Sequence, residues 1–177
     1  MRDLRPSDRF QEPVQVLGGP RTRASIRRVG EDKQPNFEFS YEKIIARVMP
    51  DSLLATGQVI ERIRTGDKYL VADHAKTPTY RVHRLLNVDR LVTWKRSTFT
   101  VDPLTNEQRS SPVPATLGQI WVLWDMIRRE APDFIMHTAE EKNLILTGED
   151  IQLNDWLDDQ QVKRVNRALG VNIVQVQ

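Results

Sequence analysis

Hydrophobic and polar positions alternate with period two along the middle of this chain, the mark of strands buried on one face. From Asn36, the residues Phe37, Phe39 and Tyr41 repeat at every second position, and Ile44, Ile45 and Val48 follow. A strand opening the folded domain fits this run, and a short helical turn over residues 41–48, ended by Met49-Pro50, is the alternative. Between Gln58 and Arg64, Val59, Glu61 and Ile63 alternate with Ile60, Arg62 and Arg64. Thr65-Gly66-Asp67 then supplies a turn before the apolar run Tyr69-Leu70-Val71-Ala72, which predicts a hairpin. Two further β-rich runs follow, Tyr80 to Leu86 and Val88 to Val101, closed by Asp102-Pro103 and Asn106. Several strands on short turns predict a compact antiparallel sheet or small barrel, because closure removes edges that would otherwise pair with other chains.

Beyond the Ser110-Ser111-Pro112-Val113-Pro114 loop the period changes. Leu117, Ile120, Trp121, Trp124 and Ile127 fall at helical spacings, with Thr116 as N-cap and Pro132 past the end, so a helix is expected there. Trp121-Val122-Leu123-Trp124 is apolar almost throughout, and a buried strand is the alternative. Phe134 to His137 and Asn143 to Leu146 are candidate strands. A last helix is expected from about Asp158, with Val162, Val165 and Leu169 on one stripe and Gly170 just past its end. Val171 to Val176 alternates again, as a terminal strand. No internal repeat is visible. The first 36 residues hold Pro6, Pro13, Pro20 and Pro35 and the Gly18-Gly19 pair, with no sustained apolar period. They read as an extended arm. The expected organisation is therefore α+β: a basic arm over residues 1–36, a mainly antiparallel β-barrel over 37–114, and a mixed helix and strand C-terminal α/β extension over 115–177.

Composition narrows the function classes. The 177 residues contain no cysteine, which removes disulfides, thiolate zinc sites, iron–sulfur clusters and thiol catalysis together. Only His74, His83 and His137 are available to a histidine metal site, and each lacks convergent partners in the sequence. No phosphate-loop fingerprint and no Gly-x-Ser-x-Gly elbow is present. The expectation is a protein that is not an enzyme and uses no cofactor or metal. No window is long and apolar enough to span a membrane, and Met-Arg-Asp-Leu-Arg-Pro carries no apolar leader, so a soluble protein is expected to stay where it is made.

Charge is unevenly spread although the formal net charge is only +2. Residues 1–30 carry seven arginines against three acids, net +4, and residues 121–160 carry ten acids against three cations, net −7. Such asymmetry suits contact with nucleic acid or with an oppositely charged partner, and two solvated faces are the plain alternative. Arg21, Arg23, Arg27 and Arg28 beside Gly18-Gly19 are candidates for docking on a phosphate backbone or on a partner subunit. Arg81, Arg84, Trp94 and Arg96 interleave with Tyr80 on the expected strands, as cations and aromatics do on the sheet faces that bind single strands. Period-two alternation alone would also produce that pattern, with the aromatics in the core and the cations in water.

The phrases Arg47-Val48-Met49-Pro50, Gly57-Gln58-Val59-Ile60, Thr65 to His74 and Val92-Thr93-Trp94-Lys95-Arg96 give residues 37–110 a further meaning. This stretch resembles the head-closure, or neck, proteins of tailed bacteriophages, small β-barrel proteins with an extended loop and long termini that stack as rings between portal and tail. The resemblance implies a virion structural protein assembled in the host cytoplasm. It implies a homo-oligomeric ring, a hexamer or dodecamer, contacting portal or adaptor and tail proteins, with genomic DNA passing through. An acidic 121–160 segment lining that passage would repel phosphates and let DNA slide. Other readings are a tail adaptor or baseplate ring protein and, from a different class, an OB-like nucleic-acid-binding module.

Overall fold

A computed structural model of the chain describes residues 11–29, 43–76, 79–110, 113–124, 144–168 and 170–177. Strands β1 (Glu12–Val16), β2 (Arg21–Val29), β3 (Lys43–Val48), β4 (Val59–Arg62), β5 (Lys68–Lys76) and β6 (Arg81–Asn87) close a first antiparallel barrel in the order β1-β2-β3-β6-β5-β4. A second barrel takes β7 (Arg90–Arg96), β10 (Ala115–Trp124), β11 (Leu144–Thr147), β12 (Trp156–Leu157), β13 (Gln160–Ala168) and β14 (Val171–Val176). Between β7 and β10, β8 (Phe99–Val101) and β9 (Gln108–Ser110) pair only with each other.

Numbered within its own barrel, the second closes in the same order as the first, first-second-third-sixth-fifth-fourth. The chain is thus a topological repeat that the sequence does not display. The corresponding third strands, Lys-Ile-Ile-Ala-Arg-Val and Leu-Ile-Leu-Thr, share apolarity and little else.

Each barrel has its own interior, and a third apolar cluster lies between them. Val14, Ala24, Ala46, Val48, Ile60, Tyr69 and Val71 fill the first barrel, and Val92, Val122, Ile145, Leu157, Val162 and Val174 fill the second. Leu70, Ala72, Leu144, Leu146, Val171 and Ile173 form the cluster between the barrels. Side chains alternate across a strand, so β5 sends Tyr69 and Val71 into its barrel and Leu70 and Ala72 into the junction. β11 and β14 divide their residues in the same way, which is why these runs are apolar on both faces. The link between barrels is only Val88-Asp89, whose N–H groups donate to Lys68 of the first barrel and Val122 of the second. The loops after β3 and β11 also meet here: a Cβ on Gly148 would lie 1.6 Å from the carbonyl oxygen of Gly57.

Several expectations are corrected. No helix occurs among the described residues, so the fold is all-β, and the α+β class with its C-terminal α/β extension is replaced by a second barrel. The expected helix after Thr116 is β10, whose Val122 and Trp124 face the barrel interior while Trp121 and Leu123 pack against the junction. Burial on both faces placed Ile120, Trp121 and Trp124 at spacings that also fit a helical stripe. The expected last helix is β13. A bulge between Val162 and Arg164 shifts the register, so Val162 and Val165 stand three apart on one face, as they would in a helix.

Residues 12–29, assigned to an extended arm, form β1 and β2. Gly18, at φ 73°, turns that hairpin, and Pro13 sits where β1 has run past the end of β4, so its missing N–H costs no ladder bond there. The barrels take their strands from residues 12–87 and 90–176, in place of a single barrel over 37–114. Phe37 to Tyr41 and Phe134 to His137 lie outside the described residues.

Candidate functional site

The adjacent strands β2, β3 and β6 carry eight cations and no acid: Arg21, Arg23, Arg27 and Arg28, then Lys43 and Arg47, then Arg81 and Arg84. Alternation sorts them. Ala24, Ile44, Ala46, Val48, His83 and Leu85 are buried within the barrel, which turns Arg23, Arg27, Arg47 and Arg84 outward. In register, Arg27 pairs with Ile45 and Ile45 with Arg84, so two arginines flank one isoleucine across three strands. One step along, Arg47 stands between Ser25 and Val82. Its guanidinium lies 5.3 Å from the centre of the Tyr80 ring, and its buried Nε has no acceptor among the described residues.

The other arginines of the group do different work. Arg21 donates from Nε to Gln15 Oε1 at 3.2 Å and Arg23 from Nη2 to the Gln11 carbonyl at 3.3 Å, and both are exposed. Arg28 lies near the Tyr69 phenol, whose pKa burial raises while Arg28 counteracts slightly. Arg81 is part-buried and donates from Nη2 to the Ser52 carbonyl, tying the loop after β3 to β6. Sequence reasoning passed over Arg47. The signal was present in the alternation of Ile44, Ala46 and Val48 against Ile45 and Arg47.

Trp94 and Arg96 lie in the second barrel, away from this group. The Asp155 side chain is 2% exposed and accepts from Arg96 Nε, Arg96 Nη2, Trp94 Nε1 and the Gln152 N–H, each at 2.9 Å. Burial pushes the Asp155 carboxyl up, but the bonds from Arg96, Gln152 and Trp94 outweigh it and hold the pKa below its ordinary value. The bond to Asp155 likewise raises Arg96. Arg96 also donates to the Asp150 carbonyl at 2.9 Å, and Ser97 Oγ to the Asn154 carbonyl at 3.2 Å. These two side chains are therefore committed to structure: they clamp the end of β7 where the β8–β9 hairpin departs.

That hairpin is the other conspicuous feature. Among the described residues its strands pair with neither barrel, Phe99 is 62% exposed and Leu104, in the turn, is 93% exposed. Val113 and Leu117, on the return into β10, are 72% and 50% exposed. Asp102 Oδ1 accepts the Leu104 N–H and Asn106 takes a φ of 58°, which shapes the turn.

Among the described residues no group of three His, Asp or Glu side chains is placed to hold a metal, and His83 is buried at 1% exposure within the first barrel wall. A groove of about 810 Å³ runs where the barrels meet, bordered by Leu17, Thr56, Gln58, Leu91, Trp121 and Glu149. Comparison of the chain with protein-family models, with curated proteins and with solved structures finds no match.

Proposed function

We propose that this chain is a non-enzymatic structural subunit of the neck of a tailed bacteriophage. It forms a closed ring that joins the portal side to the tail and contributes to the DNA passage, in a virion built in the host cytoplasm. The observation that carries the reading is the clamped β8–β9 hairpin, with Phe99 and Leu104 in water. A two-stranded hairpin alone is marginal in water, and a root fixed by a buried ion pair gives an exposed apolar arm a set direction. Both properties suit an arm completed by a neighbouring subunit. A head-to-tail contact of this kind uses two different surfaces, and it closes into a ring when the rotation allows. The resemblance over residues 37–110 supplies the phage setting and the extended loop that the hairpin matches.

The reading is tested by light scattering on the purified protein. Wild type is expected at the mass of a hexamer or dodecamer, and Leu104→Asp with Phe99→Asp at the mass of one subunit with unchanged thermal stability. Equal masses for both proteins would remove the hairpin from assembly.

A further inference from the structure

We infer that the outer face of β2, β3 and β6 binds the phosphate backbone of nucleic acid without reading its sequence. Arg23, Arg27, Arg47 and Arg84 turn outward there, and none of the three hydrogen-bonded strands carries an acid, a strong segregation for a chain of net charge +2. The balance lies elsewhere: residues 144–160 hold Glu149, Asp150, Asp155, Asp158 and Asp159 and no cation. All four are arginine, whose planar fork matches two phosphate oxygens at once. The sheet holds the backbones of Arg27 and Arg84 either side of Ile45, about 10 Å apart at two strand spacings. Arg47, two residues along β3 from Ile45, stands on the same face with its guanidinium over the Tyr80 ring.

The choice between nucleic acid and an acidic protein surface turns on apolar anchors. Protein interfaces draw their affinity from Trp and Tyr together with Arg packed at a desolvated centre, whereas phosphate contact needs charge and hydrogen bonds and no apolar anchor. Among the described residues the exposed large apolar side chains are Leu53, Ile63, Leu91, Phe99, Leu104, Val113, Leu117 and Leu153, and none lies on β2, β3 or β6. The face therefore fits a polyanion. The inference needs no ring and stands apart from the neck reading.

The test is fluorescence anisotropy of the full chain with a labelled mixed-sequence DNA duplex between 50 and 200 mM salt. Each phosphate contact contributes a log–log salt slope of about 0.9, so replacing three arginines lowers the slope by about 2.7. Over that range wild type is expected to lose about 40-fold more affinity than the triple variant Arg27→Gln, Arg47→Gln, Arg84→Gln. The triple Arg→Lys variant, which keeps the point charges, should keep the slope. So should a control on the second barrel, Lys163→Gln, Arg164→Gln, Arg167→Gln. Absence of wild-type binding at 50 mM salt, or equal slopes in the two glutamine triples, overturns the inference. Loss of self-association in the first triple with DNA affinity unchanged also overturns it, and assigns the face to a second copy.

Discussion

Removing either partner of the Asp155–Arg96 pair should destabilise the second barrel, and the two removals should differ. In Arg96→Ala the carboxylate stays where it is, 2% exposed, without its main partner. Breaking a buried pair in that way costs about 3–5 kcal/mol. In Asp155→Ala the guanidinium, 30% exposed, turns to water, and the loss falls on the Trp94 and Gln152 donors, about 1–3 kcal/mol each when left unsatisfied. Since both donors are only part-buried, about 2–3 kcal/mol in total is expected, less than for Arg96→Ala. All four tryptophans, Trp94, Trp121, Trp124 and Trp156, lie on strands of the second barrel, so urea unfolding followed by tryptophan fluorescence reads that barrel. The double variant should cost less than the two single losses together. Losses under about 0.5 kcal/mol in both variants, or a larger loss for Asp155→Ala, would refute the assignment of a buried, charge-assisted clamp.

The same pair sets an acid dependence. Because the folded Asp155 pKa is depressed, its stabilisation is full above the unfolded value of 3.8 and is lost as pH falls below that through the folded value. Wild type minus Asp155→Asn stability, from urea melts at pH 7 and pH 3, should therefore shrink at the lower pH. Gly148→Ala forces the Gly57 backbone away and should cost about 1–3 kcal/mol or more by the same melts, while Gly66→Ala, in an open turn at φ 76°, should cost only about 1 kcal/mol. Leu146→Ala, at 1% exposure between the barrels, should cost about 3–5 kcal/mol. It should move tyrosine and tryptophan transitions together, since Tyr69 and Tyr80 belong to the first barrel side and every tryptophan to the second. Glu12→Gln takes the charge out of the 2.8 Å bond to Arg62 that staples β1 to β4, and a loss of about 0.5–1 kcal/mol is expected for this partly exposed pair.

What the sequence made legible follows from how each strand is buried. The hairpin of β4 and β5 was readable because Gly66 marks its turn and β4 alternates, and β6, β7 and β14 were readable for like reasons. β10 misled because both of its faces are covered, one by its barrel and one by the junction, so the period of two disappears. β13 misled through its bulge. β1 and β2 were hidden by Pro13, Pro20 and the glycine turn, which locally resemble a linker. Of the candidate residues, Arg27 and Arg84 share one face because β3 lies between their strands, a crossover that no local pattern announces. Trp94 and Arg96 could be chosen as aromatic and cation but not assigned a role, since their partner Asp155 lies about sixty positions away.

The most direct test of the proposed neck role is negative-stain imaging of the purified protein. The account predicts closed rings with six-fold or twelve-fold symmetry that disappear in Leu104→Asp with Phe99→Asp. Single 20.5 kDa subunits at every concentration tried, or open filaments without closure, would contradict it.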